Sequence, residues 1–331
     1  MSELRKDIIM DHWVIIDTET SRHSVVFGES IINKNNIIEC PLCPGKENLT
    51  LSEILAYRPD NSKKNTPGWI KRIIPNSIPS VRIEGEFKKS GIGMYDMMTG
   101  IGAHEIIIET PHHDLDIQDQ DLKTIENTIW AYRDRIIDLK NDRRLKYILI
   151  FKNRGFVAGA TMDHPHSQLI ATPIIPKRID EELSNALRYY KYKERCVFCD
   201  IIQQELQYKE RIIIENPLFI SFSPFASISP FESWILPLKH NSNFEDISAN
   251  EVIELAKILK DTLRRISIAL NKPAYNYILH TAPANAHGME YYHWHIEIIP
   301  KMAKLTSFEW DTGLYVNPTS PEDSSRYLRS I

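Results

Sequence analysis

Residues 161–173 read TMDHPHSQLIATP: two histidines on either side of one proline, leading into an alternating apolar stretch. Pro165 fixes its own φ and pushes His164 toward extended backbone. Alternate side chains of a strand share a face, which predicts His164, His166 and Gln168 on one side, roughly 6–7 Å between neighbours. A second stretch is built alike. Residues 293–301 read HWHIEIIPK, again His-x-His entering a strand that ends in proline.

Working outward, both stretches close the same series of elements. In the first half EIIIETP (residues 105–111) reads as a buried strand running into His112 and His113. A helix follows, with Leu122, Ile125, Ile129, Tyr132, Ile136 and Leu139 at helical spacing. Then come the strand YILIF (147–151) and the loop KNRGFVAGATMD (152–163). In the second half SWILPLKH (233–240) ends in His240, and Ser248 with Glu251 forms a capping-box signature. The helix they open carries Val252, Leu255, Leu259, Leu263 and Ile266 on one face, before the strand YNYILHT (275–281) and the loop APANAHGMEYY. A helix between strands also fits a parallel crossover unit. One long helix against several strands fits α+β better. The expectation is two repeated α+β domains, residues 1–185 and 186–331, each a mostly antiparallel sheet with one long helix, joined near the polar helix KRIDEELSNALRYYKYKER.

The four cysteines fall into two Cys-x-x-Cys pairs, Cys40/Cys43 and Cys196/Cys199. In a reducing compartment such pairs are more often metal ligands or redox centres than disulfides. Structural zinc takes four nitrogen or sulfur ligands. Each half offers a set: Cys40, Cys43, His113 and His164 in the first, Cys196, Cys199, His240 and His293 in the second. His112 competes with His113, which the repeat register favours. Other readings stay open: one all-cysteine site, a redox pair, or small buried residues. The redox reading is weakened because neither pair stands at a strand-to-helix turn.

If His164 binds metal, His166 is held rigidly beside it without binding. An imidazole donating one N–H to a backbone carbonyl presents its other nitrogen as a nucleophile. Gly155, Gly159, Asn153, Arg154 and Thr161 suit close approach to phosphate oxygens. Gln168 can donate to a phosphoryl oxygen but is no proton donor, so the leaving group must need no strong acid, as a phosphate does not. The plainer reading makes His166 and Gln168 polar residues of a half-exposed strand. His12, His104, His280 and His287 read as surface or satisfied core histidines, and His295 is left open.

At these residues the chain resembles the galactose-1-phosphate uridylyltransferase family, the transferase branch of the histidine-triad superfamily. The matching text is CPLCPG (40–45), RIIPNSIPS (72–80), FKNRG (151–155), HPHSQ (164–168), FESWILPLKH and HWHIEIIP. The resemblance implies a dimer of two-domain chains with ping-pong chemistry. UDP-glucose gives its uridylyl group to His166, and galactose 1-phosphate then takes it. It also implies Gln168, Asn153 and Thr161 around the phosphates, Asn76 near the nucleoside, and zinc on Cys40, Cys43, His113 and His164. Three features depart from the family pattern: Lys152 stands where the family has an acid, the arginine-rich turn has thinned to Arg22 and His23, and the tail GLYVNPTSPED (313–323) differs. That tail and the CVFC pair look more like a sister branch that phosphorolyses ADP-glucose. The second metal is then zinc or iron. A non-catalytic zinc-stabilised nucleotide binder is the alternative from another class.

The whole chain fits this reading. It has 331 residues, 42% hydrophobic and 25% charged, with a net charge of −4, which argues against general affinity for nucleic acid or anionic membrane. No signal peptide or membrane-length apolar run is seen, so the expected location is the cytoplasm.

Overall fold

The structure is a computed structural model, and it describes residues 3–6, 13–16, 40–302, 307, 311 and 315–331. His12, Arg22 and His23 lie outside the described residues.

Strands β1 (Glu3–Lys6), β2 (Trp13–Ile16), β5 (Lys89–Ile92) and β6 (Tyr95–Thr99) form a small sheet of order β2-β1-β6-β5. The large sheet has ten strands. Its first half comprises β3 (Leu55–Tyr57), β4 (Lys71–Pro75), β7 (Ala103–Ile108), β8 (Tyr147–Arg154) and β9 (His166–Thr172). The second comprises β10 (Ile212–Glu215), β11 (Phe219–Phe222), β12 (Ser233–Pro237), β13 (Tyr275–His280) and β14 (His295–Pro300). All named strand pairs are antiparallel, which removes the parallel-crossover alternative.

The halves meet where β8 pairs with β13. Outward from that seam the order is β9, β7, β4, β3 on one side and β14, β12, β11, β10 on the other. Each half is therefore the other's copy in strand order. Register carries the likeness to single residues: Phe151 faces Gln168 in one copy, and Ile278 faces Glu297 in the other. Glu297 thus takes the place of Gln168, His295 that of His166, and His280 that of Asn153.

The long helix of each half, α1 (Leu122–Leu139) and, after α2 and α3 below, α4 (Ala249–Ala269), covers one face of this sheet in a single apolar core. Asp121 caps α1 by accepting from the Thr124 N–H, and Ser248 with Glu251 completes the capping box of α4. Ile125, Ile129, Tyr132, Ile136 and Leu139 are buried as expected, whereas Leu122 is exposed on the first turn. On the opposite face, α2 (Lys177–Lys193) and α3 (Val197–Tyr208) pack over the second half through Ile179, Leu183 and Phe198. Among the described residues no helix covers that face of the first half beyond β8, whose Tyr147 and Leu149 join the α2/α3 cluster, and a small cluster around Trp69, Ile74 and Ile108 lies there. A last helix, α5 (Pro321–Arg329), is capped by Ser320. The expected division between residues 185 and 186 falls inside α2. No described helix is long and apolar enough to cross a membrane.

Two boundaries differ from expectation. The loop expected from Lys152 begins at Gly155, because Asn153 and Arg154 pair with Asn276 and Tyr275 across the seam. The strand expected to include His164 begins at His166.

Candidate active site and metal centres

A strand that alternates faces puts His166 and Gln168 on the uncovered face of the first half, and Ser167 beneath them among the buried groups. His166 Nδ1–H donates to the carbonyl oxygen of His164, two residues back, at 2.7 Å. The ring is thereby fixed in tautomer and direction, with Nε2 bare. Burial lowers its pKa below 6.5, only partly offset by that bond, which favours the neutral ring. His166 forms part of the wall of a cavity of about 430 Å³ that Asn153, Gly155 and Asp116 also line.

Of the other residues expected here, Asn153 lies on the last turnless stretch of β8 and lines the cavity. Gly159, at φ +88°, and Thr161 are exposed on the following loop and do not line it. Arg154 also lines the cavity, where it pairs with Asp116 at 3.0 Å and donates to the carbonyls of Lys272 and Pro273. Asn76 lines a second cavity, of about 670 Å³, with His104 and Val81.

The metal-type residues fall into two separate clusters, which removes the single all-cysteine site. Sulfur and nitrogen atoms of Cys40, Cys43, His113 and His164 lie within 4.8 Å of one another, and so do those of Cys196, Cys199, His240 and His293. Tetrahedral zinc, with bonds of about 2.3 Å to sulfur and about 2.05 Å to nitrogen, has S···N edges of about 3.6 Å. Cys43 Sγ stands 3.4 Å from His113 Nδ1 and 3.5 Å from His164 Nδ1. Cys199 Sγ stands 3.3 Å from His240 Nδ1 and 3.7 Å from His293 Nδ1. The donor sets fit such an ion. His164 Nε2–H donates to Thr110 O, His293 Nε2–H to Pro237 O and His240 Nε2–H to Met289 O, which turns each Nδ1 toward the cluster. His113 converges in the first cluster, while His112 is exposed outside it. Burial drives the His164 pKa down to about 4, which leaves the ring neutral, as a metal ligand must be. Cys196 also stands at the N-cap position of α3, without a side-chain cap hydrogen bond, and helix α2 rather than a strand precedes it.

Three residues read as ordinary or not singled out prove to be organised. His104 Nε2 lies 2.8 Å from Gln168 Oε1 and 3.0 Å from Asn76 Nδ2. Asn276, on β13, donates from Nδ2 to Asn153 Oδ1 at 2.8 Å and to Ala158 O at 2.9 Å. Glu182 on α2 meets His280 and His295 in a third His/carboxylate group. That group occupies the copied site, and it is packed shut: His295 stacks on His280 with ring centres 4.6 Å apart, and Trp234 covers its other side. Burial opposes protonation of His280, but Glu182 and Glu297 outweigh it and hold the pKa up at about 10. Its Nε2 is 3.5 Å from Glu297, within ion-pair range yet without hydrogen-bond geometry.

Comparison with known proteins agrees with this arrangement. Residues 2–176 match the family model "Galactose-1-phosphate uridyl transferase, N-terminal domain", and residues 182–328 match its C-terminal domain. An ADP-glucose phosphorylase of Arabidopsis thaliana is 33% identical, the match spanning 99% of this chain and 93% of that one. A galactose-1-phosphate uridylyltransferase of Thermotoga maritima is 29% identical over 99% of this chain and 98% of the relative. The crystal structure of an ADP-glucose phosphorylase from Arabidopsis thaliana with bound ADP-glucose superposes with a TM-score of 0.79 at 31% identity, covering 100% of this chain and 99% of that one.

Proposed function

The chain belongs to the galactose-1-phosphate uridylyltransferase family and is a nucleotidyltransferase of it, and from that premise we propose that it moves the nucleotidyl group of a nucleotide sugar through a covalent intermediate on His166. The observation that carries this reading is the 2.7 Å bond from His166 Nδ1–H to His164 O, which leaves Nε2 free beside the cavity. In the first half-reaction Nε2 attacks the α-phosphorus. A P–N bond forms, the P–O bond to the sugar phosphate breaks, and that phosphate leaves with the electron pair. The Nδ1–H bond to His164 O supports the positive charge the ring acquires. In the second, a phosphate oxygen of the acceptor attacks phosphorus, the P–N bond breaks, and neutral His166 returns. Gln168 and Asn153 donate N–H groups to the phosphoryl oxygens, with Gly159 and Thr161 on the exposed loop that follows Asn153, and Asn76 sits toward the nucleoside.

As first reading, the donor is UDP-glucose and the acceptor galactose 1-phosphate, as the family's name suggests. A second reading, ADP-glucose with inorganic phosphate, is favoured by the Cys196/Cys199 pair and by the 33% identical ADP-glucose phosphorylase. In either, Cys40, Cys43, His113 and His164 would hold one structural zinc, and Cys196, Cys199, His240 and His293 a second zinc or iron. The first ion would tie the segment before β9 in place, and the second the segment before β14. The working unit in this proposal is a homodimer of two-domain chains.

Incubation with nucleotide-labelled UDP-glucose or ADP-glucose should leave an acid-labile phosphoramidate on His166, and the base retained identifies the donor. If neither sugar labels the protein, the transferase reading is wrong.

A further inference from the structure

We propose that His104 is a positioning residue for the transfer step: it turns the Gln168 carboxamide so that its N–H groups, and not its oxygen, face the phosphoryl group. The inference rests on the nucleotidyl-transfer reading above, but its geometric part is independent of it.

The Ser80 N–H points at His104 Nδ1 at 3.1 Å, and a peptide N–H can only donate. Nδ1 must therefore accept, which places the ring's proton on Nε2. That Nε2–H donates to Gln168 Oε1 at 2.8 Å. An amide whose oxygen is held has its nitrogen end turned the other way, and among the described residues no other hydrogen bond engages the Gln168 side chain. Its two N–H donors are left for a ligand. Without this contact the amide is free to present either end, and oxygen facing phosphoryl oxygen is repulsive.

Asn76 and the copied half both bear on this arrangement. Asn76 Oδ1 accepts from the Ile78 N–H at 3.0 Å, which leaves Asn76 Nδ2 3.0 Å from His104 Nε2 with no hydrogen bond between them, because both atoms carry donor hydrogens and the Nε2–H is spent on Gln168. His104 thus stands between the residue expected near the nucleoside and the one expected at the phosphate. In the copied half, the register positions of His104 and Gln168 are held by Glu232 and Glu297, so the two residues differ together where the copied site is packed shut.

The test crosses His104→Ala and His104→Gln with Gln168→Ala in the full-length zinc-loaded protein. Single-turnover labelling with UDP-glucose and ADP-glucose gives the rate, while metal content and melting temperature control for folding. His104→Ala should slow labelling roughly 10- to 100-fold with metal content unchanged. It should add nothing to Gln168→Ala. His104→Gln, which keeps an amide donor near the Nε2 position, should recover most of the rate. If His104→Ala labels as fast as the parent, or multiplies onto Gln168→Ala, His104 does not act through Gln168. A second readout needs no activity: ¹⁵N spectra of the histidine ring should show an Nε2–H whose signal moves in Gln168→Ala. A proton found on Nδ1, or a signal indifferent to Gln168→Ala, overturns the positioning role. A parent protein that takes no label yet shows this ring signal rejects the transferase reading and retains the His104–Gln168 bond.

Discussion

Asn276 Nδ2 lies 2.8 Å from Asn153 Oδ1, so a strand of the second half orients an amide of the first. The same Nδ2 donates to Ala158 O, which ties the loop beyond Asn153 to β13. With its oxygen held, Asn153 turns its N–H groups toward the loop and cavity. Asn276→Ala should slow labelling of His166 by roughly tenfold with metal content unchanged, an effect of lost orientation. Asn276→Asp should do worse, because a carboxylate facing Asn153 Oδ1 forces that amide to rotate. Single-turnover rates of the two variants check both statements.

The two metal clusters should separate by experiment. His164 is both a ligand-type residue and the acceptor of the His166 bond, so the first cluster is coupled to the chemistry. Cys43→Ser should remove about one metal ion per chain and most of the labelling rate. Cys199→Ser should remove the other ion, lower the melting temperature, and leave labelling within a few-fold of the parent. Metal analysis by mass spectrometry and the labelling assay read these outcomes together.

Beneath β9, Lys152 Nζ lies 2.7 Å from a Glu109 oxygen, and both side chains are shut off from solvent. Glu109 also accepts from Ser167 Oγ, whose neighbour on the other side is the Tyr132 hydroxyl at 2.5 Å. Burial alone would raise the Glu109 pKa, but the Lys152 charge, hydrogen bonds from Lys152 and Ser167, and Lys71 carry it below 4.5. A carboxylate with a depressed folded pKa contributes stability that is complete above its unfolded value and is lost as pH falls through the folded one. The parent should therefore keep this contribution down to about pH 4.5 and lose it below. Lys152→Met strands a buried charge, at a cost of about 3–5 kcal/mol, moderated by Lys71, whose pKa burial lowers to about 7. The Glu109 pKa then rises, and the acid loss of stability should begin at a higher pH. Melting temperature against pH for both proteins shows the displacement.

Much of this site was legible because its signals are local. HPHSQ, the two Cys-x-x-Cys pairs and the copied order of elements each lie within a few residues or repeat at a readable interval. What escaped reading depends on distant partners. His104 acquires its role from Gln168, 64 residues away, and Asn276 from Asn153, 123 residues away. In sequence each is one polar residue in an apolar strand, the pattern a satisfied core group also gives. The β8–β13 seam escaped for a related reason: KNR reads as loop until a second strand supplies partners for its backbone. Arg154, taken with the phosphate loop, lines the cavity and is held there by Asp116 and by two carbonyls across that seam.

The loop after the seam turns on Gly155, at φ +82° and ψ 151°, a region that is essentially glycine-only. A Cβ there would also stand 2.9 Å from the Ala274 Cβ and 3.3 Å from its Cα, atoms that cannot swing aside. Gly159 differs: at φ +88° and ψ 16° it is left-handed, and its added Cβ would meet only Asn153 Nδ2, at an ordinary 3.5 Å. Gly159→Ala should therefore cost about 1 kcal/mol and leave the loop in place. Gly155→Ala should cost about 2–3 kcal/mol and move the turn at residues 156–158, which carries the Ala158 carbonyl that Asn276 holds. Its labelling rate should fall well beyond that of Gly159→Ala. Equal melting temperatures and equal rates for the two variants would show that the left-handed backbone alone matters, and that the Ala274 contact does not shape the site.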